Sequence, residues 1–399
     1  MVSPLGTELS VQWERALAGE SGVSPLSRFP PPPGFPVEIA GQVPAFDASP
    51  YPFLAPRQLA HWTSPVFPHA LLVVHRALER AGLAIDAGLS PRVAVTFSTA
   101  IGGLDAVLAA DRAMVATGAL PRPFVNPNSC VSMVTGKVAI LTGATGPVLT
   151  PITACATGST SMALGAMLLE AGLADVALCG AVDFPLVEPI VAGFATMNGA
   201  FKRKQGEPLA PAEASRPFAV DRRGFVVSEG AACIVLATAE LARERGLDWS
   251  LELAGWCMNG DAEHFVAPRL ETVAHCMAGA IAHAGLQPAD VAAVNAHATS
   301  TKVGDQVEAE ALHRVFGKQV PPVTASKSQI GHAMGASSAI ESIFAMESMR
   351  HGVLPPTLNY RADQALQLDC VVDEVCMLEQ EHVLKNAFGF GGANCCIVL

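Results

Sequence analysis

Hydrophobic positions along this chain fall into short blocks that switch between a period of two and a period near 3.6, strands and helices in turn. The first sixty residues break that pattern: they are loop-rich, with a rigid proline run at 30–33. Residues 37–43 alternate like a short strand. From His69 the spacing of Leu71, Val74 and Leu78 predicts an amphipathic helix ended by Gly82. Residues 92–97 form a β-branched strand that stops before Gly102 and Gly103, and residues 148–154 read as a second strand running straight into Cys155. Small apolar residues from 160 to 173 predict a helix buried on most sides, and 175–180 a buried strand. The second half repeats the grammar. A strand at 290–296 carries His297 at its end; another at 320–325 precedes Lys327, His332 and a small-residue helix through Ala339 and Ile343. Alternating elements predict a largely parallel, layered α/β sheet. Reactive groups in such folds gather at the carboxyl ends of strands, which is where this pattern puts Cys155, His297 and His332.

Composition narrows the class. Of 399 residues, 50% are hydrophobic and 15% charged, enough for a large core and a buried subunit interface. The net charge of −11 and the lack of a long basic run argue against a nucleic-acid surface; Lys202-Arg203-Lys204 is a short exception. Residues 138–169 lack any charge and exceed the roughly 20 residues a membrane span needs. Pro147 and Pro151 inside that stretch would break a lipid-exposed helix, so no membrane association is expected. The ten cysteines form no CxxC pair, and Met1 to Gly6 has neither a basic start nor an apolar core. Reduced thiols in a cytoplasmic protein are expected. The histidines show no HExxH or paired zinc-ligand spacing, so no metal is expected.

Four segments hold candidate chemistry. Cys155 sits between a predicted strand and helix, where a helix N-terminus lowers a thiol's pKa; a structural cysteine reads equally well there. His297, at a strand end before Ala298-Thr299-Ser300-Thr301, suits a site that polarises a carbonyl, or a loop histidine. Lys327 and His332 lead directly into a buried helix, so the lysine needs a partner or a function, and Glu341 is the candidate partner. The segment 386–394 interleaves three glycines with Phe388 and Phe390, either a packing turn or a mobile gate offering a backbone N–H to an oxyanion.

Together TACATG at Cys155, HATST at His297, KSQIGH ending in His332 and NAFGFGGAN from Asn386 resemble the β-ketoacyl-acyl carrier protein synthases of the thiolase superfamily, elongating branch. AGQVPAFD, ASRPFAVDRRGF and GDAEH extend the resemblance over nearly the whole chain. It implies a thiolase-like α/β fold of two pseudo-repeated halves, 1–240 and 241–399, layered α-β-α-β-α. It implies that Cys155 takes an acyl chain from carrier phosphopantetheine in a decarboxylative Claisen condensation with malonyl-carrier protein. His297 and His332 would then stabilise the enolate, with Lys327 organising the charge and Glu341 in a structural role. The amides of Cys155 and Phe390 resemble the oxyanion hole, and Phe390 with Phe388 the gate. Thr299 and Thr301 resemble pantetheine contacts, and Ile101 an acyl-pocket position. No metal or organic cofactor is implied. The implied partners are an acyl carrier protein, docked through Arg203 and Lys204, and a second subunit, identical or chain-length-factor-like. Segment 175–180 resembles the strand pairing across the family's dimer interface.

Two departures carry expectations of their own. Family members place an apolar strand before the VSPLG-like motif, which here directly follows Met1, so that strand is expected outside the given sequence. The loop after Asp261 is short, so carrier contacts there should differ. HATST and that short loop lean towards a type II polyketide or aryl-polyene-like system. A thiolase would place proline after its histidine, where Ala333 stands, and a non-catalytic partner subunit would lack Cys155.

Overall fold

The computed structural model describes residues 1–204 and 206–399. Its two main sheets enclose a pair of buried helices. The first sheet holds β1 (Val93–Ser98), β2 (Val176–Asp183) and β3 (Gly230–Ala237), with β2 in the centre, parallel to β1 and antiparallel to β3. The second is built from β4 (Gly255–Gly260), β5 (Ala293–Asn295), β6 (Val323–Thr324), β7 (Val383–Gly389) and β8 (Ala393–Val398). Its order is β4-β8-β7-β5-β6, parallel where β5 meets β6 and β7, antiparallel where β8 meets β7 and β4.

Five helices complete the layers. α1 (Val66–Ala81) covers the outer face of the first sheet, while α3 (Leu270–His283) covers the second and packs against α4 (Lys302–Phe316). Between the sheets lie α2 (Thr157–Glu170) and α5 (Gly335–His351), each touching both. The result is the layered α-β-α-β-α arrangement of a thiolase-like fold. The two central helices carry little amphipathic signal because they are buried on nearly every side, as Ala163, Ala336 and Ala339 attest. Their approach requires glycine: a Cβ on Gly158 would stand 2.5 Å from the backbone nitrogen of Ala339.

The helix predicted from His69 begins at Val66 and ends where Gly82 adopts φ 62°. The strand expected at 148–154 is reduced to one bridge, Val95 to Val148, before a 3-10 turn at Ala154–Ala156. Pro147 and Pro151 have no N–H to give a ladder. Cys155 therefore stands at a helix N-terminus rather than at a strand end. The interface expectation for 175–180 is overturned: β2 has a partner on both edges and every residue of it is buried. The outward-facing edge is 147–149, with Val148, Leu149 and Ile152 exposed. Among the described residues, Val2 alone bridges the outer edge of β3, at Ala231. No described helix is long and apolar enough to cross a membrane.

Candidate active site

Cys155 is the middle residue of the 3-10 turn, held there because Ala154 takes φ 47°, a left-handed conformation that a side chain adopts only when its surroundings enforce it. Thr157 clamps the turn, its hydroxyl donating to the Ala154 carbonyl at 2.7 Å and accepting from the Thr153 N–H at 3.0 Å. The thiol is 6% exposed, and its Sγ lies 3.0 Å from Nε2 of His332. The other nitrogen of His332 lies 2.9 Å from the Ser337 hydroxyl, which accepts from the Ala333 N–H. His332 itself follows the short helix Lys327–Ile330 and pairs by backbone with Val227.

His297 follows β5. Its backbone N–H and that of Ala298 donate to the two oxygens of Glu308 on α4, at 2.8 and 2.7 Å. Its ring centroid is 5.8 Å from that of His332, edge to face, and 5.6 Å from that of Phe388. Nδ1 of His297 is buried with no hydrogen-bond partner, which leaves the Nε2 side for the cavity. Lys327, 1% exposed, donates to the His297 carbonyl at 2.5 Å and sits 2.5 Å from Glu341.

Electrostatics set the resting state. Burial pushes the Cys155 thiol up to about 11, against the pull of Lys327 and of the Phe390 and Cys155 N–H groups. The expected lowering at a helix N-terminus is thus outweighed by desolvation. Burial, with Lys327 beside both rings, holds His297 and His332 well below the usual imidazole range. Both shifts describe one neutral pair, S–H donating to Nε2. Alkylation of Cys155 by iodoacetamide should therefore accelerate about tenfold per pH unit between pH 7 and 10, following the thiolate fraction. A rate flat with pH would instead mean a preformed thiolate–imidazolium pair.

Cys155, His297 and His332 open into one cavity of ≈ 700 Å³. Its inner wall is apolar: Ala100, Ile101, Phe194, Phe225, Met334 and Phe390. Thr299 and Thr301 line it with hydroxyls 3.0 Å apart. Phe388 and Phe390 flank it from the glycine loop, where Gly391 N–H donates to the Phe265 carbonyl and Gly392 accepts from Asp261 N–H. The short segment after Asp261 is thereby tied to the loop. Sequence reasoning found these residues but missed others. Arg223 and Lys302 also line the cavity. Asp183 accepts from Thr99, Ala100, Ile101 and Gly335, and burial raises it to about 6. Glu308, Asn386 and Lys385 are buried polar groups on elements otherwise packed in the core, which was the available signal. Arg203 is engaged with the Leu209 carbonyl and Glu38, and Lys202 with Asn198; Lys204 is exposed.

A buried cysteine against one histidine, a second histidine beside it and two central helices between layered sheets define a thiolase-like condensing enzyme. The chain belongs to the β-ketoacyl synthases: residues 1–242 match the family described as Beta-ketoacyl synthase, N-terminal domain, and 251–361 its C-terminal domain. It is 34% identical to the 3-oxoacyl-[acyl-carrier-protein] synthase 2 of Coxiella burnetii, covering all of this chain and 96% of that one. It is 32% identical to the enzyme of the same name from Staphylococcus aureus, covering 100% and 98%. Among solved structures, the ishigamide ketosynthase/chain length factor superposes with a TM-score of 0.90 at 28% identity, covering 100% and 96%. A type II polyketide acyl-carrier protein in complex with its ketosynthase bound to the hexaketide gives 0.88 at 27%, with the same coverage. The protein is a condensing ketosynthase, an acyltransferase by class.

Proposed function

We propose that Cys155 carries the growing acyl chain and that His297 and His332 drive its condensation with malonyl-carrier protein. The observation behind this is the 3.0 Å contact of Sγ with Nε2 of His332 beside His297 on one cavity. In acyl capture, Sγ attacks the incoming thioester carbonyl as its proton passes to Nε2 of His332. The oxyanion lies against the N–H groups of Cys155 and Phe390, and the departing pantetheine thiolate takes the proton back. In condensation, the malonyl C–CO₂ bond breaks and its electron pair forms an enolate. Neutral His297 donates its Nε2–H to the enolate oxygen. Once Sγ is acylated, neutral His332 does the same in the tautomer whose Nδ1 accepts from the Ser337 hydroxyl, so neither needs to be a cation. The carbanion then attacks the Cys155 thioester, and Sγ leaves as a thiolate that takes up one proton from solvent, regenerating the neutral thiol with CO₂ released and the β-ketoacyl chain on the carrier.

The apolar wall around Ile101, Phe194 and Met334 supports a largely reduced acyl chain. Thr299 and Thr301 are placed to bond the pantetheine arm. The exposed apolar residues Ile140, Val148, Leu149 and Ile152 support a second synthase-like subunit on that face. Exposed Lys204 and the cavity-lining Lys302 and Arg223 offer positive charge to an acidic carrier, with Arg203, already paired, in a supporting place. Intact-protein mass spectrometry with carriers bearing different chains tests the reading. A mass gain equal to the acyl group, greatest for reduced chains, supports it; no adduct with any donor sinks it. Lys204→Glu should raise KM for the carrier several-fold and leave Cys155 alkylation unchanged, whereas an unaltered KM removes Lys204 from the docking surface.

A further inference from the structure

A lysine with no solvent access inside a strand calls for a counter-charge, and Lys385 has an unusual one. It lies in β7, 0% exposed, in a run buried from Val383 to Phe388. Its Nζ stands 2.9 Å from one oxygen of Glu341 and donates to the Asn386 carbonyl. The other oxygen of Glu341, itself 0% exposed, is the one 2.5 Å from Lys327. Lys327 in turn holds the His297 carbonyl. One carboxylate is thus gripped by two ammonium groups, the second of which fixes the backbone of His297.

Buried oxygens without an aligned donor recur on the residues next to Lys385 in the chain and across the strand. Both Glu341 oxygens make ion-pair contacts without an aligned hydrogen bond, and the buried amide oxygens of Asn386 and of Asn295, the strand partner of Lys385, have no donor. Asn386 also reaches Glu308, whose two oxygens take the His297 and Ala298 N–H groups. The Glu341 carboxylate and the Asn386 carbonyl stabilise a cation at this position, and removing it leaves a buried carboxylate under-compensated.

We propose that Lys385 is a positioning residue whose ammonium acts as a tethered cation, locking Glu341 and, through Lys327, the setting of His297 for enolate stabilisation. It contacts no substrate. The inference rests on the reading of His297 and His332 as the pair that stabilises the enolate.

Two substitutions separate charge from bulk: Lys385→Ala opens a hole beside Glu341, and Lys385→Met fills it without charge. Both should still load an acyl chain on Cys155, while condensation kcat falls about 10²-fold, the scale of an ångström-sized misplacement. KM for the malonyl carrier should change little. Ammonium chloride should restore most of kcat to the Ala variant and none to the Met variant, and tetramethylammonium at equal ionic strength should restore neither. A folded Ala variant with native kcat, or with a low kcat indifferent to ammonium, overturns the proposal. If neither folds, Lys385→Gln, which keeps the length and an N–H donor for Glu341, replaces them: lowered kcat supports it and native kcat overturns it. Loading is measured in the same samples, so a wild-type protein that never acylates at Cys155 refutes the underlying reading by a separate signal.

Discussion

Cys155→Ala is expected to abolish acyl loading and to lower condensation on the order of 10⁶-fold, the scale seen when a covalent nucleophile is removed from an acyl-transfer enzyme. The size follows from the geometry. Sγ is the one thiol on the ≈ 700 Å³ cavity wall, so no described residue can take its place. Decarboxylation of malonyl-carrier protein should persist in this variant, because the N–H donors for the enolate belong to the histidines. The pair of measurements is decisive: an acyl adduct surviving in Cys155→Ala would place the nucleophile elsewhere. Loss of decarboxylation along with loading would mean that the substitution collapsed the site, since His332 rests against the thiol.

The second large effect belongs to Glu341. Replacing it by alanine leaves Lys327 and Lys385, at 1% and 0% exposure, facing one another without their shared carboxylate. Breaking a buried ion pair costs about 3–5 kcal/mol, because an uncompensated charge remains. Here two charges remain, so Glu341→Ala should fall at or beyond the upper end of that range, read as a drop in the urea midpoint at constant slope. Lys385→Met removes one partner and should cost less. A Glu341→Ala protein as stable as the native one would show that the ammonium groups find other anions, Glu308 first among them. Glu341→Gln keeps a polar bridge and should lie between the two.

The sequence carried much of the site and less of the architecture. Cys155, His297, Lys327 and His332 each stood beside small residues at an element boundary, a local signal, and the structure brings all four together. Strand 148–154 was misread because its apolar run is genuine while Pro147 and Pro151 withhold the N–H groups a ladder needs. The interior position of Val176–Asp183 could not be read either. A strand buried by its own sheet and one buried by a second subunit look alike in hydropathy. The direction of the Cys155 shift failed for a related reason: the helix N-terminus is local and legible, whereas burial is produced by parts of the chain distant in sequence, His332 among those packed on the thiol. Lys385 was passed over because its carboxylate partner lies far off in sequence, on α5, and Glu308 because its bond to Asn386 joins α4 to β7.

The neutral thiol–imidazole pair has a consequence for endurance. Peroxide oxidises thiolates, and sulfenic acid forms slowly on a sulfur that keeps its proton. A Cys155 thiol pushed to about 11 and 6% exposed is protected between turnovers, its nucleophilicity released as an acyl donor arrives to receive it. Cys130, exposed on the surface, has no such shelter. Oxidative damage in this protein should therefore begin away from the active site.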